Sequence, residues 1–381
     1  MRFQAGTLLG QSIEPHRGAC PIASTGTLNP NLLKSAKVCL LIAALALSTT
    51  TRAAILSVTK STIGQVFDRA ESGDTLRLIG DFDRIELKGR NFAPALVIDG
   101  DKATFQDTLL IRDVQGLILH GGLFRSNSGS TALGRWISVY GGSRILIDQV
   151  RIEGAGTGRG ILFTSTKNAS VINSLFVHLS AGVGFIDVDE GYIYNNISSR
   201  STSDGFNVVA SHHVKVSSNT CADTNRSEGA HPDCVQMWSL TGHVPLSDIE
   251  ISNNLASGGT QGFTLFNPKD GGADRVSIIG NRIDTTFPQG IACYNCRDSE
   301  ISGNHLSTMS GAKNSTTIHV FGGENNRVAH NIMNEPSGKN YEGVGANPVW
   351  SLGLLVDGTF GFNKDEVARV RELISKKLTS F

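Results

Sequence analysis

The 381-residue chain is poor in three things. Proline is scarce, at 10 residues, although glycine is abundant at 43. A disordered Pro/Gly composition is thereby excluded, and the glycines are explained by many tight turns. Net charge is also missing, since Lys+Arg 34 balances Asp+Glu 34. Such a chain has no electrostatic reason to seek nucleic acid or an anionic membrane as its main partner. Last, the apolar run from Val38 to Leu47 is too short for a transmembrane helix, which needs roughly 20 residues.

That run reads as part of a targeting signal. Lys34 and Lys37 precede it, and Ser48-Thr-Thr-Thr-Arg-Ala53-Ala54 follows with small residues for a cut after Ala53 or Ala54. Residues 1–53 are therefore expected to be an N-terminal extension and signal peptide. The protein is expected to be secreted or periplasmic, monomeric and without a membrane anchor. Cys20 and Cys39 leave with the signal, so Cys221, Cys234, Cys293 and Cys296 remain. Their even number fits an oxidising compartment, and Cys221 with Cys234 can close the polar insertion between them. Cys293-Tyr-Asn-Cys296 is open to three readings: a tight disulfide, two buried thiols, or half a metal site. No second CxxC accompanies it, which argues against zinc.

The central chain repeats itself. Strand starts are expected at Gly160, Gly184, Gly205, Cys234, Gly262, Gly290 and Thr317, each followed by an alternating apolar run. A second short strand follows most of them and ends in asparagine: Asn173, Asn196, Asn219, Asn254, Asn281, Asn304 and Asn331, with Asp148 one coil earlier. A period in the twenties with Asn at one turn implies a β-solenoid whose coils stack about 4.8 Å apart. Asparagine tolerates a left-handed turn, and its amide can bond the next asparagine up the stack. Before the repeat, Ser61 or Thr62 can cap a short amphipathic helix from Ile63 to Ala70, suited to covering the open end of the core. After it, Asn363 can cap a helix from Lys364 to Leu378 whose apolar stripe packs back on the coils.

The asparagine ladder, the strand pattern and the helical cap with Gly73-Asp-Thr resemble the right-handed parallel β-helix of the pectate-lyase-like superfamily. The resemblance implies an all-β solenoid over 54–335, with an N-terminal capping helix and a tail, 336–381, carrying the C-terminal helix. It does not imply one reaction, because lyases, hydrolases, epimerases, tailspikes and adhesins share the fold.

Candidate chemistry lies between Ser203 and Trp238. In register, the residues preceding the strand starts are Asp204, Asp233, Gln261, Gln289 and Thr316. Asp204 and Asp233 would then stand one coil apart, where mutual repulsion raises one pKa and sets an acid beside a base. Polygalacturonase-type hydrolases carry NTDG, DDCΦA, GHG and RΦK motifs. Asp204 and Asp233 match them, but Pro232 and Gln261 replace the other aspartate and the histidine, and RΦK is missing. His231, beside Asp233 and Gln236, is suited to abstracting a proton alpha to a uronate carboxyl. Lys215, Arg226 or Lys269 could neutralise that carboxyl; calcium is an open alternative, although no acidic cluster makes a cage. His212 and His213 fall at a turn and are expected to be solvated.

The fifth strand positions, Val209, Trp238, Phe266, Tyr294 and Phe321, form an outward sugar-stacking column, a stack covered by the long loops of the 240s and 270s, or an internal stack. Asp204, His231 and Asp233 are thus the candidate catalytic residues. Asn207, Lys215, Gln236, Trp238, Gln261, Phe266 and Tyr294 are the candidate substrate-binding residues, and none is assigned to a metal. The expected function is β-elimination of an acidic polysaccharide. Hydrolysis by Asp204 and Asp233 and non-catalytic glycan binding are the alternatives.

Overall fold

The computed structural model describes residues 53–266 and 271–333. The expected signal segment, Lys269 and the expected C-terminal helix lie outside these residues. Thirty strands between Ile55 and Met333 form one parallel ladder that winds through about 11 coils. Alternating apolar residues dictate this: positions two and four of each first strand point inward. Phe206 and Val208, Val235 and Met237, Phe263 and Leu265, and Ile291 and Cys293 are all buried. Phe206 pairs with Val235, Val235 with Phe263, Phe263 with Ile291, and Ile291 with Ile318.

The register corrects one expected strand start and one place in the expected column of preceding residues. Leu162 pairs with Gly184 and Gly184 with Asn207. The counterpart of Gly160 and Gly205 is therefore Gly182, two residues before the expected start at Gly184. The reason is close packing. A Cβ on Gly205 would lie 2.5 Å from Cys221 Sγ, and one on Gly160 or Gly182 would collide with the glycine carbonyl of the next coil. Further on, Gln289 faces Thr317 and an irregularity at Gly290 restores the pairing at Ile291 with Ile318. Thr316 therefore stands outside the column expected for it.

The asparagines divide their two expected jobs between adjacent positions. Asn173, Asn195 and Asn253 have left-handed backbones, as do Gly280, Gly303 and His330 at equivalent turns. The following residue forms the inner ladder. Asn196, Asn219, Asn254, Asn281 and Asn304 each donate a backbone N–H and a side-chain amide to the Asn carbonyl of the next coil. Their side chains also donate to strand carbonyls, as Asn254 does to Val216 at 2.9 Å. Ser174 takes the ladder place expected for Asn173, and Asp148 lies in a neighbouring row, accepting from Asn173 Nδ2 at 2.8 Å.

One helix, Ile63–Arg69, is present among the described residues, with Ile63 and Phe67 buried in the core. Thr62 is its N-cap residue but makes no side-chain cap, because its hydroxyl accepts instead from Thr59 N. No described helix is long and apolar enough to cross a membrane.

Removing one ladder amide strands buried partners above and beside it. Asn254→Ala should therefore lower unfolding stability by about 2–5 kcal/mol, read from denaturant titration. Asn253→Gly keeps the left-handed turn and should change stability by less than about 0.5 kcal/mol.

Candidate functional site

Asp204 and Asp233 meet at the edge where the first strands begin. Gly205 N donates to Asp233 O at 2.8 Å, and Asp233 N donates to the Asp204 carboxylate at 3.1 Å. Each aspartate also holds the outward residue three places on. Asn207 Nδ2 donates to Asp204 Oδ2, and Gln236 Nε2 to Asp233 Oδ2, both at 2.9 Å. These bonds turn both carboxyls to the outer face, opposite the core. Asn207 and Gln236 are themselves paired across the coils. The Cys221–Cys234 disulfide anchors the strand start beside Asp233 and closes the loop that carries His231.

Both carboxyls are nearly shut off from water, Asp204 at 7% exposure and Asp233 at 0%. Burial raises the pKa of Asp204, opposed by the Asn207 amide, the Asp233 N–H, Arg159 and His231. Burial and the neighbouring Asp204 carboxylate push Asp233 up to about 8, against the stabilising side chains of Thr264 and Gln236. Asp233 is therefore neutral at neutral pH. The Thr264 hydroxyl is near enough to favour the charged form, yet neither it nor Asp233 Oδ1 makes a hydrogen bond of ordinary geometry. Gln261 Oε1, on the residue paired with Asp233, is a third buried oxygen without such a bond. The Thr264 hydroxyl, Asp233 and Gln261 thus bring three buried oxygens together at this edge.

His231 differs from both aspartates because its side chain is 64% exposed. Its Nδ1 lies 3.7 Å from Asp233 Oδ2, a small rotation from a hydrogen bond. Its ring meets Phe266 edge-on at 6.3 Å, and Phe266, Tyr294 and Phe321 continue as edge-to-face neighbours 5.3 Å apart. The aromatic column therefore faces outward from Trp238 onward, with Phe321 62% exposed; Val209, one coil before, is buried. Gln236, Met237, Trp238 and Phe266 line a recess of about 290 Å³ beside it.

Other expected site residues are not gathered here. Lys215 lies on the second strand of its coil and pairs with Glu250 at 2.9 Å. His212 bonds Ser247 and His213 bonds Asp189, both at the start of that second strand. Cys293 and Cys296 are joined as a disulfide, which removes the thiolates a metal would need. Calcium takes six to eight oxygen ligands. Asp204 and Asp233 are committed to amide donors, and among the described residues no group of three or more His, Cys, Asp or Glu converges. Among the described residues, these side chains do not form a calcium cage.

Arg159 is the site residue that sequence reasoning missed. It reaches from two coils away to donate to Asn207 Oδ1 at 2.9 Å. Gly184 lies between them, and a Cβ there would come within 3.4 Å of the guanidinium. The signal was present in the Leu162–Gly184–Asn207 column, but a start placed at Gly184 hid it.

No protein-family model matches the chain, and no curated protein matches its sequence. Solved structures do resemble it. An alginate lyase from Paenibacillus sp. str. FPU-7 superposes with a TM-score of 0.50 at 11% identity, covering 74% of this chain and 99% of that one. The mannuronan C-5 epimerase A-module of Azotobacter vinelandii gives 0.45 at 15% identity, covering 72% and 89%. A surface adhesin of Streptococcus pneumoniae gives 0.44 at 10% identity, covering 78% and 85%. At these identities the likeness speaks to fold. The superposition at 0.50, together with the continuous parallel ladder and its asparagine stack, shows that this chain is a parallel β-helix protein.

Proposed function

We propose that the protein is a secreted or periplasmic enzyme that cleaves a uronate-containing polysaccharide by β-elimination, with His231 as the base. The observation that carries this reading is the position of His231: exposed, backed by the buried carboxyl of Asp233, and facing the aromatic wall. Sugar rings stacked along Phe266 and Tyr294 would bring a C5–H to the imidazole. In a uronate that proton is acidified by the adjoining carboxyl. His231 Nε2 takes it, the C5 electron pair forms the C4–C5 double bond, and the C4–O bond breaks. The protonated ring can return its proton to the departing oxygen, so the histidine ends as it began.

The Asp233 carboxyl decides which ring nitrogen is free. As a carboxylate it would accept from Nδ1–H and leave Nε2 with its lone pair. As a neutral acid it would donate to Nδ1 and disable the base. Because burial and Asp204 hold Asp233 neutral up to about pH 8, elimination should rise as pH passes through that value. Two disulfides fit an oxidising compartment.

One observation favours hydrolysis as a second reading: a neutral Asp233 beside the Asp204 carboxylate is an acid–base pair. Its pH dependence has the opposite sign, since an acid is lost above its pKa. Incubation with uronate polysaccharides separates the readings. Ultraviolet-absorbing unsaturated ends whose rate climbs toward pH 8–9 support elimination; reducing ends alone, falling over the same range, support hydrolysis. Binding with no product at any pH would make the protein a glycan-binding module.

His231→Ala should lower kcat by roughly 100-fold or more, and equal turnover would sink the assignment. Asp233→Asn should abolish the rise near pH 8. The same substitution should also raise stability. Folding raises Asp233 from its ordinary value of 3.8 to about 8. Its neutral form is compatible with the fold below pH 4, and stability falls as pH climbs between the two values. Asp233→Asn should flatten that fall and raise Tm at pH 8 by roughly 3 °C or more, as scanning calorimetry would read.

A further inference from the structure

We infer that a cavity under the loop between Cys221 and Cys234 is a second saccharide subsite, which holds a sugar unit through its carboxylate. The inference rests on the uronate reading above and extends it away from the reacting bond. The cavity is about 540 Å³, within the range of small-molecule sites. Its walls come from the turns that lead into the strands starting at Asp233, Gln261, Gln289 and Thr317. It therefore opens at the same edge of the stack as the carboxyl pair. A glycan running across the coils would pass both.

Its chemistry is that of an anion receptor. Arg226 and Lys313 both line it, and no acidic side chain does. The arginines of neighbouring coils are matched to carboxylates: Arg275 to Asp248, Arg282 to Asp284, Arg297 to Asp274 and Arg327 to Glu300. Among the described residues, neither Arg226 nor Lys313 makes such a pair. The Arg226 guanidinium lies 5.5 Å over the Phe287 ring. Stacking fixes the plane of the guanidinium while leaving its N–H edge free, the orientation that grips a planar carboxylate with two parallel bonds. Lys313 adds a point charge to the lining, and Thr224 and Thr286 supply hydroxyls for the sugar. A sulfate ester would present the same charge but not the same planar fork.

The test is calorimetric binding of a saturated oligouronate to the full-length His231→Ala chain, in which nothing need be turned over. Arg226→Gln and Lys313→Gln should each weaken binding roughly tenfold or more, with unchanged Tm. The same oligosaccharide with its carboxyls reduced to alcohols should fail to compete. The proposal is overturned if no oligouronate binds, if both variants bind like the parent, or if the reduced oligosaccharide competes equally. It is also overturned as a carboxylate site if a sulfated oligosaccharide binds tighter and loses its affinity in the same variants. Arg226-dependent binding by a wild-type chain that yields no unsaturated product would instead sink the elimination reading alone.

Discussion

The strand hydrogen bonds run between coils, so each residue stands over its counterpart at a spacing of about 4.8 Å. Like is thereby forced onto like. For the apolar rows this is favourable: Phe105 stacks on Phe124 at 4.2 Å, and the inward rows bury one continuous core. For the asparagine row it is favourable as well, because an amide both donates and accepts and can repeat without limit. A carboxylate row has no such solution. Two stacked aspartates either separate, take up a cation, or keep a proton. Asp204 and Asp233 keep one, with amide donors from Asn207 and Gln236 holding each carboxyl in place.

That constraint gathers buried oxygens at one edge of the stack. Asp233, Gln261 and Thr264 each contribute a buried oxygen without an ordinary hydrogen bond, on strands whose other faces pack apolar side chains. The Cys221–Cys234 disulfide holds the strand start beside them. It also ties down the loop that carries both Arg226, over Phe287, and His231, beside Phe266. One covalent closure thus positions the exposed imidazole and the stacked guanidinium relative to the same edge. Arg159, passing over Gly184 to Asn207, fixes the other end of the polar row.

Much of this was legible in the sequence because a solenoid turns spacing into contact. The pairing of Asp204 with Asp233 follows from the period alone; the direction of the aromatic column does not, and only the structure turns it outward from Trp238 onward. What the period did not reveal has physical causes. Gly182 and Gly184 both sit where neighbouring atoms approach closely, so the pattern alone does not separate them. Asn173 and Asn196 look alike, although one occupies the left-handed turn and the other the ladder. Lys215 was within reach in sequence but belongs to the next strand, where Glu250 stands over it. Long-range reach, as by Arg159 across a whole coil, leaves no local trace.

Asp233 is neutral at physiological pH, and the pH dependence of the site depends on it. An isotope-edited titration of its carboxyl in the full-length chain, assigned by difference from Asp233→Asn, measures this directly, by infrared absorption or carbon-13 shift. A carboxylic-acid signal that persists at pH 7 and disappears with a midpoint about 8 is the predicted result. A carboxylate already formed by about pH 5, as for an ordinary aspartate, would contradict it.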